Sequence, residues 1–375
     1  MYTIRTEKGG GETAVVDLRS DAVSKPCAEM RRAMAEAEVG DDFYGEDPTV
    51  NEIQRHAAQL FKTEDALFVS SGTMGNLIAV IIHCRKKGSE VLLGDESHMY
   101  FYEQGSMTQM AGMLPRPVRT LKDGRLDLQD LESKIQHGNP DVQIQLICLE
   151  NTHNRMGGRV LPLSYMKEVR DIADRYGLKV HLDGARLINA AMSLGVETAE
   201  IVKYCDSVAL CLSKGLGAPA GSLLGGTAEF VAEARQIRKI LGGGMRQTGV
   251  LAAPGLVALK HAQKNLMLDH QNAKTFAKAV QELDSPLCLV DPAIVDTNIV
   301  LLSLPDRLMA KELCEQLSSV TPEEQENGRG VVVKGLAISP RHVRLVWHRD
   351  LSAQDIQLVL EKLKSVLGKY SNEAA

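Results

Sequence analysis

The feature that most limits the fold of this chain is a regular alternation of short apolar runs with helix-like segments up to Gly226. Segments with helical spacing lie between the runs, for example 75–87 and 164–176. Short buried strands that alternate with helices are typical of a mostly parallel sheet covered on both faces. We therefore predict an α/β fold around about seven strands, at 66–69, 90–93, 115–120, 145–149, 178–182, 207–211 and 222–225.

The pattern changes in the last third of the chain. A long helical region at about 250–283 is followed by strand-like runs and by a final helical segment; these lie at 298–302, 331–336, 343–347 and 353–367. A chain of 375 residues is long enough for one large domain and a smaller one. We predict a flexible lead-in at 1–15, a large α/β domain at 16–255 and a small C-terminal α+β domain at 256–375.

Lys214 is the first candidate for chemistry. It lies in the segment LSKGLGA, directly after the apolar run SVALC and before a glycine-rich loop. This position favours a buried amine, and burial favours the neutral form, which can form a Schiff base with an aldehyde. The obvious biological aldehyde is pyridoxal phosphate. The alternative is a lysine that extends to water from the end of a strand.

Asp183 is the second candidate, because it ends a separate apolar run in the segment LKVHLDGARL. A carboxylate at the end of a buried strand is costly unless a positive group meets it. The ring nitrogen of pyridoxal phosphate is such a partner, and its pairing with a carboxylate keeps the ring an electron sink. A helix cap or a metal ligand is the alternative for Asp183 alone. Asp183 and Lys214 together favour the cofactor.

A phosphate site is predicted at the segment SSGT, residues 70–73, which follows one strand and opens a helix. Free backbone amides, the helix dipole and the Thr73 hydroxyl favour an anion there. The segment lacks the Lys-Ser/Thr ending of a nucleotide P-loop and the GxGxxG pattern of a dinucleotide site. Taken alone, SSGT is also an ordinary helix cap. Beside Asp183 and Lys214, it completes a site for phosphate, ring nitrogen and aldehyde carbon.

Four further residues are candidates for the same site. His98, in GDESHMY, could lie over the face of the ring. Arg186 follows Asp183 by three residues and could bind a carboxylate in fork geometry. Arg344 alternates inward on a strand of the small domain, and Arg246 follows three glycines. The alternatives are a structural histidine and arginines that pair with acidic side chains.

Composition limits the partners and the compartment. The net charge is −5, which gives no reason to expect nucleic acid or an anionic membrane as partner. No apolar stretch approaches the roughly 20 residues of a membrane span. The chain has 7 cysteines with no CxxC spacing, which suits a reducing compartment. The first residues contain no signal-like apolar core, so we expect a cytoplasmic protein.

The motifs in combination make the chain resemble the low-specificity L-threonine aldolases. These are pyridoxal phosphate enzymes of the aspartate aminotransferase fold (fold type I), within the β-eliminating lyases. The resemblance covers about 16–364 and rests on the segments VDLRSDAVSKP, VGDDFYGEDPTVNEIQ, SSGTMGN, LENTHNRMGGRVLP, HLDGAR, YCDSVALCLSKGLGAPAGSLLGG, GGGMRQTGVLAA and VRLVWH. It implies an aspartate aminotransferase-like large domain with a smaller C-terminal domain, and the L configuration of the substrate.

The resemblance also implies cofactor roles for five of these residues. Lys214 forms the Schiff base with pyridoxal 5′-phosphate. Asp183 pairs with the ring nitrogen, while His98 stacks on the ring and serves in proton transfer. Gly72 and Thr73 hold the phosphate. No metal ion is implied.

Substrate binding and assembly are implied in the same way. Ser20, Arg186 and Arg344 bind the substrate carboxylate, and Arg186 also belongs to the cofactor surroundings. Arg246 reaches the phosphate from a neighbouring subunit, and Tyr44 lies near the site from across the dimer. The expected assembly is a homodimer with shared active sites, commonly paired into a homotetramer. The family often has a histidine shortly before the LENTHN segment; here only His137 is near that position.

The expected reaction is the cleavage of L-threonine or L-allo-threonine into glycine and acetaldehyde. Carboxylate binding would set the Cα–Cβ bond perpendicular to the ring, and a base would take the β-hydroxyl proton. That base is His98 or an ordered water. The alternatives on the same scaffold are β-elimination, racemisation or transamination by another pyridoxal phosphate enzyme, and a non-catalytic relative that binds the cofactor.

Overall fold

A computed structural model describes residues 13–139, 141–328 and 330–372. The predicted lead-in at 1–15 therefore lies largely outside the described residues. The strands are β1 (Ala14–Asp17), β2 (Asp65–Val69), β3 (Glu90–Gly94), β4 (Leu114–Val118), β5 (Ile144–Glu150), β6 (Lys179–Asp183), β7 (Ser207–Cys211), β8 (Ser222–Gly226), β9 (Ile299–Ser303), β10 (Val331–Lys334), β11 (Leu336–Ser339) and β12 (His342–Val346).

The α-helices follow the same chain order. They are α1 (Ala28–Glu36), α2 (Pro48–Phe61), α3 (Gly72–His83), α4 (His98–Phe101), α5 (Leu128–Gln136), α6 (Leu163–Tyr176), α7 (Leu187–Leu194), α8 (Thr198–Val202), α9 (Ala228–Ile240), α10 (Gly249–Gln281), α11 (Ala310–Ser318), α12 (Pro322–Glu326) and α13 (Ala353–Asn372). None of the helices within the described part of the chain is long and apolar enough to cross a membrane.

The chain forms two compact units. One is Pro26–Gln263, and the other combines the described residues of Met1–Lys25 and Lys264–Ala375. The first boundary differs from the predicted domain start at 16. The reason is that β1 pairs in parallel with β10, so the amino-terminal segment joins the C-terminal unit.

The larger unit contains the predicted sheet. Its seven strands have the order β2-β8-β7-β6-β5-β3-β4, and β8 alone runs opposite to the other six. The strand β7 is buried along its whole length, as its apolar sequence SVALC requires. Helix α3 contributes fully buried Ile78 and Val80 to the core. The predicted α/β fold with a mostly parallel seven-stranded sheet is confirmed.

The smaller unit has an antiparallel sheet of order β11-β12-β9 beside the β1-β10 pair. The run 331–336, predicted as one strand, is divided at Gly335, so that β10 pairs with β1 whereas β11 pairs with β12. A Cβ at Gly335 would lie 2.9 Å from Leu345 Cδ2. Any residue other than glycine at this position would therefore require the Leu345 side chain to shift. Fully buried Trp347 belongs to the core of this unit.

Candidate active site

Asp183 and Lys214 lie at the same edge of the large sheet. Asp183 is the last residue of β6 and lies opposite Ala209 of the parallel strand β7. Lys214 follows the end of β7 by three residues. The carboxyl ends of parallel strands are where ligands bind in such sheets. Lys214 is only partly buried, which differs from the prediction of a buried amine, because it lies in the loop beyond the strand.

Asp183 is a charged acceptor in the protein interior. Its side chain is buried, and its carboxylate accepts hydrogen bonds from the backbone N–H of Ala185 at 3.1 Å and from Asn76 Nδ2 at 3.0 Å. Burial acts to raise the pKa of Asp183, but the nearby charges of His98 and Lys214 are among the effects that outweigh it and lower this pKa. An ionised carboxylate in such surroundings is suited to a cationic N–H partner.

His98 lies beside Asp183. It is the first residue of α4, and its backbone N–H donates to Glu150 Oε2 at 2.6 Å. Its Nδ1 is 3.1 Å from Glu103 Oε1 and 4.0 Å from Asp183 Oδ2. Burial acts to lower the pKa of His98, but the hydrogen bond to Glu103 and the charge of Asp183 raise it overall. Glu103 therefore holds His98 through Nδ1, and Nε2 is the ring nitrogen on the other side.

The SSGT segment forms the N-terminus of α3 at the carboxyl end of β2. Ser71 caps the helix, because its Oγ accepts a hydrogen bond from the N–H of Met74 at 3.2 Å. A Cβ at Gly72 would lie 2.7 Å from Cys211 Sγ, so this turn packs closely against the end of β7. The Thr73 side chain is exposed. The segment thus offers a helix N-terminus, which favours an anion, at the edge that carries Asp183.

Arg186 is a buried cation in the same unit. It follows β6, has an exposed fraction of 5%, and its Nη1 is 3.4 Å from Asn154 Oδ1. Asn154 belongs to the segment after β5, and its backbone N–H donates to Glu150 Oε1 at 2.8 Å. A guanidinium in this position can bind a carboxylate in fork geometry.

Arg246 and Tyr44 lie together on an exposed surface. Arg246 Nη1 is 2.9 Å from Asp41 Oδ2, and its carbonyl oxygen accepts from the N–H of Asp42 at 3.0 Å. The Phe43 ring packs against the Arg246 guanidinium, with 5.4 Å between its centroid and the guanidinium carbon. Tyr44 is 71% exposed. The structure therefore groups two residues for which a role across a subunit boundary was predicted.

Ser20 and Arg344 belong to the other unit. Ser20 caps a short 3-10 helix, since its Oγ accepts from the N–H of Ala22 at 3.2 Å. Arg344 lies on β12 and is buried, as predicted, although burial does not alternate along this strand. Its Nη2 donates to the carbonyl of Arg19 at 2.9 Å. His137 is exposed at the end of α5, where its Nδ1 is 3.0 Å from the Ser133 carbonyl. His137 precedes β5, so the structure does not bring it to the edge where that strand ends.

Four further side chains surround Asp183 within the large unit, and none of them was predicted from the sequence. They are Asn76, Glu103, His181 and Ser207. One signal for His181 was available, because it lies two residues before Asp183 on a strand and therefore faces the same side of the sheet. The other three come from a helix, a loop and a neighbouring strand, and no motif connects them.

The site fits pyridoxal phosphate on three points. An ionised buried carboxylate suits the ring nitrogen, a helix N-terminus suits the phosphate, and a lysine that electrostatically influences both Asp183 and His98 suits the aldehyde. These groups are the attachment points that such a cofactor needs. The donor set is therefore suited to a pyridoxal phosphate cofactor.

The sequence belongs to the family that this site suggests. The model of the "Beta-eliminating lyase" family matches residues 17–305, more than half of the chain, and the chain belongs to that family.

Within the family, the chain is similar to low-specificity L-threonine aldolases. It is 42% identical to "Probable low-specificity L-threonine aldolase 2" of Arabidopsis thaliana over 356 residues, which cover 94% of this chain and 97% of the plant protein. It is 38% identical to "Low specificity L-threonine aldolase" of Escherichia coli (strain K12) over 359 residues, which cover 95% of this chain and 100% of the bacterial protein.

Solved structures show the same fold. A threonine aldolase of Leishmania major superposes with a TM-score of 0.74 at 19% identity, and the match covers 94% of this chain and 99% of that protein. A structure described as "SPT with PLP, N100Y" superposes with a TM-score of 0.71 at 17% identity and covers 94% of this chain and 88% of that protein. At this identity the likeness concerns the fold.

Proposed function

We propose that this protein cleaves L-threonine, L-allo-threonine and related β-hydroxy-α-amino acids to glycine and an aldehyde, with pyridoxal phosphate as cofactor. The observation that carries the proposal is the similarity to L-threonine aldolases over nearly the whole chain, in which Asp183, His98 and Lys214 form one cluster. The experiment that tests it is the release of acetaldehyde from L-threonine without a ketoacid.

The cofactor contacts are assigned from the groups at the sheet edge. Bound pyridoxal phosphate would supply the electron sink for the bond that breaks. Lys214 is the covalent attachment point, and Asp183 keeps a proton on the ring nitrogen. Gly72 and Thr73 hold the phosphate at the N-terminus of α3.

The substrate contacts need positive charge for a carboxylate. We assign this role to Arg186 of the larger unit. For Ser20 and Arg344 the same role is proposed from the resemblance to L-threonine aldolases. Both arginines are buried, at 5% and 6% exposed, and a buried guanidinium gains most from an anionic partner. Contacts to the substrate carboxylate would fix the orientation of the substrate and so select which bond at Cα breaks.

His98 is our candidate for the proton acceptor of the β-hydroxyl group. If Nδ1–H donates to the Glu103 carboxylate, Nε2 is the ring atom that is left to accept a proton. A base acts in its neutral form, and the pKa of His98 lies above its usual value despite burial. The acid side of the pH–rate profile should therefore lie at higher pH than it would for an ordinary histidine.

His98→Asn tests this assignment. We expect the variant to keep the visible absorption band of the lysine-bound cofactor, because Lys214 is intact, and to lose roughly 10²- to 10⁴-fold in turnover. The measurements are steady-state kinetics on L-threonine and the absorption spectrum of the resting protein. Unchanged turnover and an unchanged acid limb would remove His98 from the mechanism.

The proposed assembly is a homodimer with shared active sites, which pairs further into a homotetramer. What supports it is the exposed surface around Tyr44 and Arg246, because aromatic side chains and arginine are enriched in protein interfaces. Arg246 would reach the cofactor phosphate of the neighbouring subunit, and Tyr44 would lie near that same site.

The proposed compartment is the cytoplasm. All seven cysteines are free, and they are distributed between buried and partly buried positions. Free thiols in this number suit a reducing compartment.

A further inference from the structure

A line of hydrogen-bonded side chains extends through the large unit to Asp183. His83 Nε2 is 2.7 Å from Ser207 Oγ, and Ser207 Oγ is 2.8 Å from His181 Nδ1. His181 Nε2 is 3.0 Å from Asn76 Oδ1, and Asn76 Nδ2 is 3.0 Å from Asp183 Oδ2. We call His83, Ser207, His181 and Asn76 the Asn76 chain. None of the four has a role in the reaction described above.

The proton positions along the Asn76 chain follow from the carboxylate of Asp183, to which the chain leads. A carboxylate only accepts, so the amide nitrogen of Asn76 faces Asp183, and the amide oxygen faces His181. His181 must therefore donate from Nε2. Burial is the main cause that lowers the pKa of His181 to about 4, so the ring is neutral and its Nδ1 accepts from the Ser207 hydroxyl.

The same reasoning applies to His83, at the end of the Asn76 chain that is farthest from Asp183. The Ser207 oxygen accepts from His83 Nε2–H once its own proton is donated to His181. Burial is the main cause that lowers the pKa of His83 to about 3, so this ring is neutral as well. Each donor in the Asn76 chain then points toward Asp183, and each hydrogen bond strengthens the next.

Asn76 also joins the two acids of the site. Its Nδ2 donates to Glu103 Oε1 at 2.9 Å and to Asp183 Oδ2 at 3.0 Å, which uses both amide hydrogens. Glu103 in turn contacts His98 Nδ1 at 3.1 Å. Asn76, Glu103, His181 and Asp183 are all nearly inaccessible to solvent, so water offers these groups little alternative bonding. The Asn76 amide thus fixes both Asp183, the proposed partner of the ring nitrogen, and Glu103, which holds His98.

We propose that Asn76, held in place by His181 and Ser207, is a positioning residue that fixes the Asp183 carboxylate for the ring nitrogen of the cofactor. This inference rests on the proposed function only in that the protein binds a pyridine-ring cofactor, and it does not depend on which substrate bond breaks. The contribution of Ser207 passes through His181 and Asn76, since Ser207 contacts His181 and His83 rather than Asp183.

The experiment compares two cofactors in the absence of substrate. Pyridoxal phosphate carries the ring nitrogen, whereas its 1-deaza analogue carries a C–H there and cannot pair with Asp183. Both dissociation constants are measured by absorbance titration of the cofactor-free protein. The dissociation constant of the analogue divided by that of pyridoxal phosphate reports on the Asp183 contact alone. Loss of a hydrogen bond to a charged group should lower this ratio by roughly tenfold or more. A merely structural defect would weaken both cofactors alike.

The variants are Asn76→Ala, Ser207→Ala and the double variant. We expect Asn76→Ala to bring the ratio close to one and Ser207→Ala to have a smaller effect in the same direction. The double variant should match Asn76→Ala, because Ser207 acts only through Asn76. Matched controls are Gln54→Ala and Ser89→Ala, which truncate buried polar side chains outside the Asn76 chain and should keep the wild-type ratio. If Asn76→Ala does not fold, Asn76→Leu keeps a similar shape and removes both amide N–H donors without adding a charge beside Asp183 and Glu103.

The outcomes test the role of Asn76 and the proposed aldolase activity separately. A wild-type ratio in Asn76→Ala or Asn76→Leu would overturn the role of Asn76, even if the protein releases acetaldehyde from threonine. Independent and multiplicative effects of Asn76 and Ser207 would overturn it as well. The expected ratios in a protein that binds the cofactor but releases no acetaldehyde would support Asn76 and reject the aldolase proposal. A wild-type protein that does not bind pyridoxal phosphate would overturn both.

Discussion

Replacement of Lys214 by alanine is expected to remove the covalent attachment of pyridoxal phosphate and to lower turnover of L-threonine by roughly a thousandfold or more. The reason is that Lys214 is the amine that follows β7 and exerts its charge on both Asp183 and His98. The measurements are the visible absorption band of the resting protein, its loss on borohydride reduction, and steady-state turnover.

Lys203→Ala is the matched control for the lysine variant. Lys203 follows α8 and pairs with Glu200 at 2.6 Å, so its loss should leave both the absorption band and turnover unchanged. A band in Lys214→Ala that borohydride still fixes at another lysine would show that the attachment point lies elsewhere.

Replacement of Asp183 by asparagine is expected to lower turnover by roughly 10²- to 10³-fold and to weaken cofactor binding. The variant keeps the shape of the side chain but removes the charge that holds a proton on the ring nitrogen. Lys214 remains available, so the visible band should form at a higher cofactor concentration. The measurements are the dissociation constant of the cofactor and the turnover at saturation.

Asp206→Asn provides the control for charge removal near the same two strands. Asp206 directly precedes β7 and pairs with Lys179 at 2.9 Å, at the end of the strands opposite to Asp183. Its replacement should leave cofactor binding unchanged. If Asp183→Asn keeps full turnover and wild-type cofactor affinity, Asp183 is not the ring partner.

The strands and the two main site residues could be predicted because they depend on local patterns. A run such as SVALC is buried on both faces, so its strand character and its place in a parallel sheet follow from composition alone. Asp183 and Lys214 each follow such a run, and parallel strands bring both residues to one edge. The resemblance to L-threonine aldolases supplied the reaction, which these two residues alone do not specify.

The side chains around Asp183 could not be predicted because they meet only through tertiary packing. His181 lies opposite Ser207 in the register of β6 and β7, and Asn76 reaches both His181 and Asp183 from α3. Polar residues at these positions have many alternative roles in a sequence. Only the register and the packing of the helix on the sheet select the hydrogen-bonded arrangement.

Two predictions depended on position along the chain, and the structure differs from both. Lys214 was expected to be buried because it follows an apolar run, yet the loop beyond β7 leaves it partly exposed. The run 331–336 was expected to be one strand because three valines and Leu336 lie close together in the sequence. Hydrophobicity does not show that β10 and β11 pair with different strands.

The most direct test of the central claim is product analysis with L-threonine as the only substrate. The purified protein with pyridoxal phosphate, and without any ketoacid, should release acetaldehyde and glycine in equal amounts, and L-allo-threonine and L-phenylserine should give glycine and the corresponding aldehyde. Formation of a ketoacid or of D-allo-threonine from L-threonine in place of acetaldehyde, or no product from any of the three substrates, would contradict the proposal.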